Sequence, residues 1–182
     1  MAIIFILPLL LLLFFLLYRH KQEQNFHKKH QLVTQYLQTH CHDSLIFSKK
    51  NIPVDQDLPR KNGFFDMNKC DVFVFTDFMV ILGYNNTRKN KQTECPPVII
   101  TAQNHTKLEP IKYWAEIVQP QKVAFSGTDS IQLLLHYIVP NRPEYKLKGK
   151  DQFFDPFCTC ILTGFSHEEY TQFSFIKDWQ VK

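Results

Sequence analysis

From Ala2 to Tyr18 the chain holds seventeen residues without a charge, then turns basic at Tyr18-Arg19-His20-Lys21. A helix of that length rises about 25 Å, a little less than the roughly 30 Å hydrocarbon core of a bilayer. Arg19 and Lys21 can snorkel to close the difference. Pro8 falls in the first turns, where a lost backbone hydrogen bond costs least. No polar face interrupts the run, which disfavours a helix laid on a globular core. No small-residue cleavage site follows it and no basic residue precedes it, so the pattern predicts a retained transmembrane anchor over residues 1–18, not a removed signal peptide.

From Gln22 to His40 the residues become polar but stay helix-compatible, with Phe26, Val33, Tyr36 and Leu37 near helical spacing and no Gly or Pro. A juxtamembrane stalk helix is expected over 19–42, its narrow apolar stripe packed on the domain or on a second copy. Pro53, Pro59 and Gly63 then mark an extended connector over 43–63.

After residue 64 the pattern changes to short apolar runs with polar turns between them. The clearest is Asp71-Val-Phe-Val-Phe-Thr76-Asp77-Phe-Met-Val-Ile-Leu-Gly-Tyr84, a hairpin about Thr76-Asp77. Further strands are expected at Pro97–Ala102, Ile111–Val118, Lys122–Phe125, Ile131–Val139 and Phe157–Thr163. Ser126-Gly-Thr-Asp-Ser130 has the chemistry of a second hairpin turn. Near the end, Ser166 and Glu169 form a capping box, flanked by Phe165 and Tyr170 as a hydrophobic staple. Tyr170, Phe173, Ile176 and Trp179 line one stripe of the helix this starts, suited to covering an open barrel end. The fold class is α+β and mainly β: an anchor and stalk helix, then an antiparallel barrel or sandwich over 64–182 capped by a C-terminal helix.

This order of elements resembles the pleckstrin-homology-like superfold over about residues 64–180. The first hairpin, Val74-Phe75-Thr76-Asp77-Phe78-Met79-Val80, is similar to that of bacterial members. The resemblance is architectural, without a motif that carries a function across. A lipocalin-like barrel is the structural alternative.

Charge adds an orientation. The net charge is +4, and residues 19–42 alone carry +3, from Arg19, Lys21, Lys28 and Lys29 against Glu23. Such a distribution suits a lipid surface and gives no general affinity for nucleic acid. By the positive-inside rule it puts the N-terminus outside and the C-terminal domain in the cytoplasm. The odd count of five cysteines at irregular spacing fits reduced thiols better than a disulfide framework. The sequons Asn85-Asn86-Thr87 and Asn104-His105-Thr106 would matter only with the domain on the other side.

The candidate chemistry is thin. Five of the eight histidines lie between His20 and His42, and His40, Cys41 and His42 are competent zinc ligands. No second ligand pair completes such a site, and adjacent ligands rarely reach one ion, so no metal and no cofactor is expected. Glycine-rich phosphate loops and the nucleophile elbow are absent from the sequence. A nucleophile drawn from Cys41 with His42, or from Cys70, has no support in its flanks, and Asp71 and Asp77 read as turn residues. Arg88, Lys89 and Lys91 form a basic loop after the first hairpin, comparable to the loop that holds headgroups in phosphoinositide-binding relatives of the superfold. Lys146, Lys148 and Lys150 form a second basic stretch. Both strands of the first hairpin are apolar on both faces, so the second face needs a cover: the terminal helix, the stalk, or another protein meeting Phe73 and Phe75.

The expected function is a single-pass membrane-anchored, non-enzymatic binding or scaffold domain. Its expected partners are membrane lipids and a protein, which can be a second copy. The alternatives are a metal protein or enzyme using the cluster near His40, and a lipocalin-like carrier of an apolar ligand outside the cytoplasm.

Overall fold

The computed structural model describes residues 2–57, 67–87, 90–93, 95–101, 106–138 and 157–173. It opens on one continuous helix, α1 (Ala2–His40), so the apolar run and the stalk are a single rod. Among the described residues nine strands follow: β1 (Leu45–Asp57), β2 (Lys69–Phe75), β3 (Phe78–Thr87), β4 (Asn90–Gln92), β5 (Val98–Thr101), β6 (Glu116–Val118), β7 (Pro120–Ser126), β8 (Ile131–Ile138) and β9 (Phe157–Phe165). A short helix, α2 (His167–Gln172), comes last.

The strands form one curled sheet in the order β6-β5-β3-β2-β1-β9-β8-β7, with β4 paired to β3 outside this path. Two features make it nearly a closed barrel. The edge strands β6 and β7 are separated in the chain only by Gln119, so the chain itself links the two ends of the sheet. And β1 turns a corner: up to Pro53 it pairs with β2, and from Val54 it pairs with β9. The corner follows a bulge between Lys49 and Ile52, where Asn51 takes a positive φ of 60°. Asn is among the few residues that tolerate this conformation.

β1 occupies ground expected to be connector. Its inward residues Ile52 and Val54 are buried, while Pro53 between them is exposed at the change of partner, where a missing N–H is tolerated. The bulge breaks the alternation that would have marked a strand in the sequence. The stretch Ile111–Val118 also differs from expectation. Thr106–Ile111 is a 3₁₀ turn around Pro110, and only Glu116–Val118 is strand. Leu108, Ile111 and Ala115 face the apolar side of α1 instead of pairing. Finally β6 runs parallel to β5, while the other strand pairs among the described residues are antiparallel.

Both hairpins form where expected, β2–β3 about Thr76-Asp77 and β7–β8 about Ser126–Ser130. Gly127 in the second turn has φ +100°, a conformation that favours glycine.

Alternation along the strands divides the apolar residues between two cores. Cys70, Val72 and Val74 of β2, Met79 and Ile81 of β3, and Leu133, Leu135, Cys160 and Leu162 of β8 and β9 fill the inside of the curl. Phe75, Phe78, Val80, Leu82 and Ile99 point outward and meet Val33, Leu37 and Cys41 of α1. The second face of the hairpin is therefore covered by the stalk of the same chain. Each such aliphatic side chain, fully buried, stabilises by about 1.5–3 kcal/mol before entropy is counted.

The capping box of α2 is present in full: Ser166 Oγ accepts from the Glu169 N–H at 3.1 Å, and Glu169 Oε2 accepts from the Ser166 N–H at 2.7 Å. Phe173, fully buried, closes the barrel end with its ring among Phe47, Phe125 and Phe165, at centroid distances of 5.3, 5.6 and 5.1 Å. Ile176 and Trp179 lie outside the described residues.

Lys49 of β1 donates to both carboxylate oxygens of Glu169, at 3.0 and 2.7 Å, and ties α2 to the sheet. Burial pushes the Glu169 carboxyl up, but Lys49 and the Ser166 N–H outweigh it and hold it below its ordinary value. A depressed carboxyl contributes stability above its unfolded pKa and loses it as pH falls through the folded one. Urea denaturation against pH is therefore expected to show an acid-side loss in the wild type that is absent in Glu169→Gln. For a partly exposed pair the difference is about 0.5–1 kcal/mol.

Candidate functional site

Two regions of α1 stand out. The first is its N-terminal part. Every large apolar side chain from Ile6 to Tyr18 is exposed, from 46% at Tyr18 to 70% at Phe14, and the exposure goes all round the helix. Twelve large apolar side chains in water on a free rod are far beyond the scattered exposure normal for a soluble surface. Among the described residues no helix is long and apolar enough to cross a membrane.

The second region is the stalk. Phe26, Val33, Leu37 and Cys41 are buried. Polar contacts bracket this stripe: the His30 ring N–H donates to Cys95 O at 2.9 Å, and Tyr36 Oη donates to Lys107 O at 2.7 Å. Between residues 27–35 and the outer face of β2 and β3 lies an open cleft of about 370 Å³. His27, His30, Thr34, Asp71, Tyr84 and Thr93 are among the polar residues that line it.

At its floor Tyr84 is almost fully buried, and its hydroxyl donates to Asn51 Oδ1 at 2.6 Å. Asp71 Oδ1 lies 3.3 Å from the same hydroxyl and accepts the Asn51 N–H at 3.0 Å. Burial first, then the charge of Asp71, pushes the Tyr84 phenol up to about 12. The group holds the β1 corner in place: it ties the left-handed Asn51 to two strands. Asp71 is thus a strand residue with a fixed hydrogen-bonding role, not a turn residue.

The metal candidates diverge. His40 stacks on Tyr36 at 4.3 Å and donates from Nδ1 to its own helix at Tyr36 O. Cys41 turns into the apolar cluster beside the sheet, and burial raises its thiol pKa. His42 is exposed, with Asp43 at 3.8 Å. Among the described residues no three His, Cys, Asp or Glu side chains come together as metal ligands.

The other four cysteines, Cys70, Cys95, Cys158 and Cys160, are buried and unbridged. Burial, and then neighbouring acidic groups including one another, keeps Cys70 and Cys160 protonated well above the ordinary thiol range, where they are poor nucleophiles.

Of the basic candidates, Arg19, Lys21, Lys28 and Lys29 lie on α1, all but Lys29 well exposed; Lys29 places its Nζ 5.9 Å from the Phe26 ring centroid. Lys91 lies in β4, opposite Asn86. Arg88, Lys89, Lys146, Lys148 and Lys150 lie outside the described residues. Phe75 is buried, 2% exposed, stacked on Phe78 at 4.5 Å, and Phe73 packs at the edge of the same cluster. The partner surface expected at these two residues is occupied by the stalk.

The cleft was missed as a unit because its members come from four places in the chain. The one local signal was His27 and His30, three apart and so on one helical face. Comparison with protein-family models, with curated proteins and with solved structures found no match.

Proposed function

We propose that this is a single-pass membrane-anchored protein whose β domain is a non-enzymatic binding or scaffold module of pleckstrin-homology-like build. The observation that carries the reading is the ring of exposed apolar side chains from Ile6 to Tyr18. It continues without a break into the stalk that holds the domain. Those side chains cover about 20 Å of helix axis, and Ala2–Phe5, apolar in sequence, extend the run to about 25 Å. Local thinning and the snorkelling of Arg19 and Lys21 absorb the remainder of a bilayer core. The basic flank supports a cytoplasmic side for the domain, and five unbridged cysteines fit it.

Against an enzyme stands the chemistry of the buried groups: the Cys70 and Cys160 thiols and the Tyr84 phenol are all held protonated by burial, and Cys41 is buried while His42 is exposed. Against a lipocalin-like carrier stands the inside of the curl, filled by the side chains of the first core.

Leu10→Arg with Leu13→Arg is expected to move the full chain from the alkaline-resistant membrane fraction to the soluble one, since each charge at a helix centre costs about 2.5–3.5 kcal/mol on insertion scales. A reporter after Lys182 is expected to be active only on the cytoplasmic side. Retention of the double variant in the membrane, or a reporter active on the far side, would sink the corresponding half of the reading.

A further inference from the structure

The cleft between the stalk and the sheet has a floor of two kinds. Asp71 of β2 and Leu82 of β3 are direct cross-strand partners, and both line it. A carboxylate therefore stands beside an aliphatic side chain. With histidine neutral at pH 7, Asp71 carries the formal charge of the described residues around the cleft. Lys69, two residues earlier on the same face of β2, is not among those that line it.

Several of the lining residues have already committed protons to the protein. The Thr34 hydroxyl donates to His30 O at 2.8 Å, and the Tyr84 hydroxyl donates to Asn51 Oδ1 at 2.6 Å. The His30 ring N–H goes to Cys95 O at 2.9 Å, since a carbonyl only accepts. Gln31 Nε2 donates to His27 Nε2 at 3.2 Å, which requires that ring nitrogen to be unprotonated. A hydroxyl has one proton and an ionised carboxylate has none. Thr34, Tyr84 and Asp71 can therefore offer an occupant lone pairs but no hydrogen. The complement to such a lining is a cation rich in N–H donors.

We infer that the cleft is a binding site for an alkylguanidinium group, free or on an arginine side chain. The cationic head lies against Asp71 and the aliphatic stem along Leu82. A guanidinium carries five N–H donors in a planar fork, which suits acceptors set in different directions. The volume of about 370 Å³ is at the small end for a ligand pocket, and fits one such group and not a large molecule. One wall is the stalk and the floor is β2 and β3, so an occupant bridges the two and holds them together. This rests on the reading of the β domain as a binding module, and is independent of the anchor.

The test titrates the full chain, in an uncharged maltoside detergent, with butylguanidinium and with N-acetyl-L-arginine amide, and follows backbone amide shifts. Saturable shifts are expected at residues 31–35, at Asp71 and at Leu82, with a dissociation constant of about 1 mM or below. Trimethylbutylammonium has the same charge and stem but no N–H, and is expected to bind about ten-fold more weakly. Asp71→Asn removes the charge but keeps an oxygen to accept the Asn51 N–H, and is expected to weaken butylguanidinium binding about ten-fold. Thr34→Val removes one acceptor from the stalk, away from the β1 corner, and is expected to weaken it about three-fold. Should Asp71→Asn fail to fold, Thr34→Val decides. Tighter binding of the arginine amide assigns the group to a protein side chain, and tighter binding of butylguanidinium assigns it to a small free molecule; both support the site. Equal affinity for butylguanidinium and trimethylbutylammonium would overturn the hydrogen-bonding match. Unchanged affinity in the folded variants, or no saturable shift at the cleft residues, would overturn the cleft as the site. Neither result touches the anchor, which membrane fractionation reads separately.

Discussion

Val33→Asp is expected to destabilise the domain by about 3–5 kcal/mol, enough to unfold a protein of ordinary stability. Val33 is fully buried, in a cluster of Leu37, Cys41, Phe75, Phe78, Val80, Leu82 and Ile99. A carboxylate there either stays ionised without a partner in an apolar site or forces the stalk off the sheet. The second route uncovers the outward side chains of three strands at once, so it offers little relief. The measurement is urea denaturation of the full chain in detergent, followed by the fluorescence of Trp114, which packs against this cluster. Gln38→Asp, exposed on the same helix, is the control and is expected to stay within about 0.5 kcal/mol of wild type. If Val33→Asp matches that control, the stalk is not part of the domain.

The same residues explain what could and could not be read from the sequence. An isolated period-2 pattern says which positions are inward and which outward. In β2 and β3 both sets are apolar, so the pattern announced two covered faces but not their covers. The stalk stripe, at Phe26, Val33 and Leu37, announced a helix in need of a partner. The two needs match each other, but sequence order alone does not join them, since the join brings together residues far apart in the chain, such as Val33 and Val80. Ser166 and Glu169 were legible because a capping box acts within four residues. β1 was hidden for the opposite reason: its bulge at Asn51 and its corner at Pro53 let it pair with β2 and then with β9, and each disrupts local alternation.

The site was less legible than the fold. His40, Cys41 and His42 are adjacent in the chain and scatter in space, because a helix end and a following turn point successive side chains in different directions. Asp71, Tyr84 and Asn51 are scattered in the chain and meet in space, because cross-strand neighbours are set by register. The apolar run of α1 is helical and exposed from Ile6 to Tyr18, which its uniform composition made legible without any long-range contact.

Gly83→Ala tests the inner core at the Tyr84 end of the β2–β3 hairpin. Gly83 continues the inward stripe of Met79 and Ile81 and pairs with Cys70. A Cβ there would collide with Met67 Sδ and come 2.7 Å from Cys95 Sγ. Those two side chains fill the room that a residue at position 83 would need. Overpacking of this kind costs about 1–3 kcal/mol, and the upper end applies because Met67 is 3% and Cys95 2% exposed, with little slack to retreat into. Met67→Ala alone leaves a cavity and is expected to cost about 2–5 kcal/mol. Combined, the two losses should not add: the methyl group placed by Gly83→Ala enters space vacated by Met67, so the double variant is expected to be more stable than the sum predicts by about 1–2 kcal/mol. Denaturation midpoints of the four proteins in one cycle measure this term. A coupling of zero would mean that Gly83 is required for its backbone and not for the space above it. The strand carries no positive φ at Gly83, so backbone freedom gives no reason for glycine there, and the sulfur atoms of Met67 and Cys95 do.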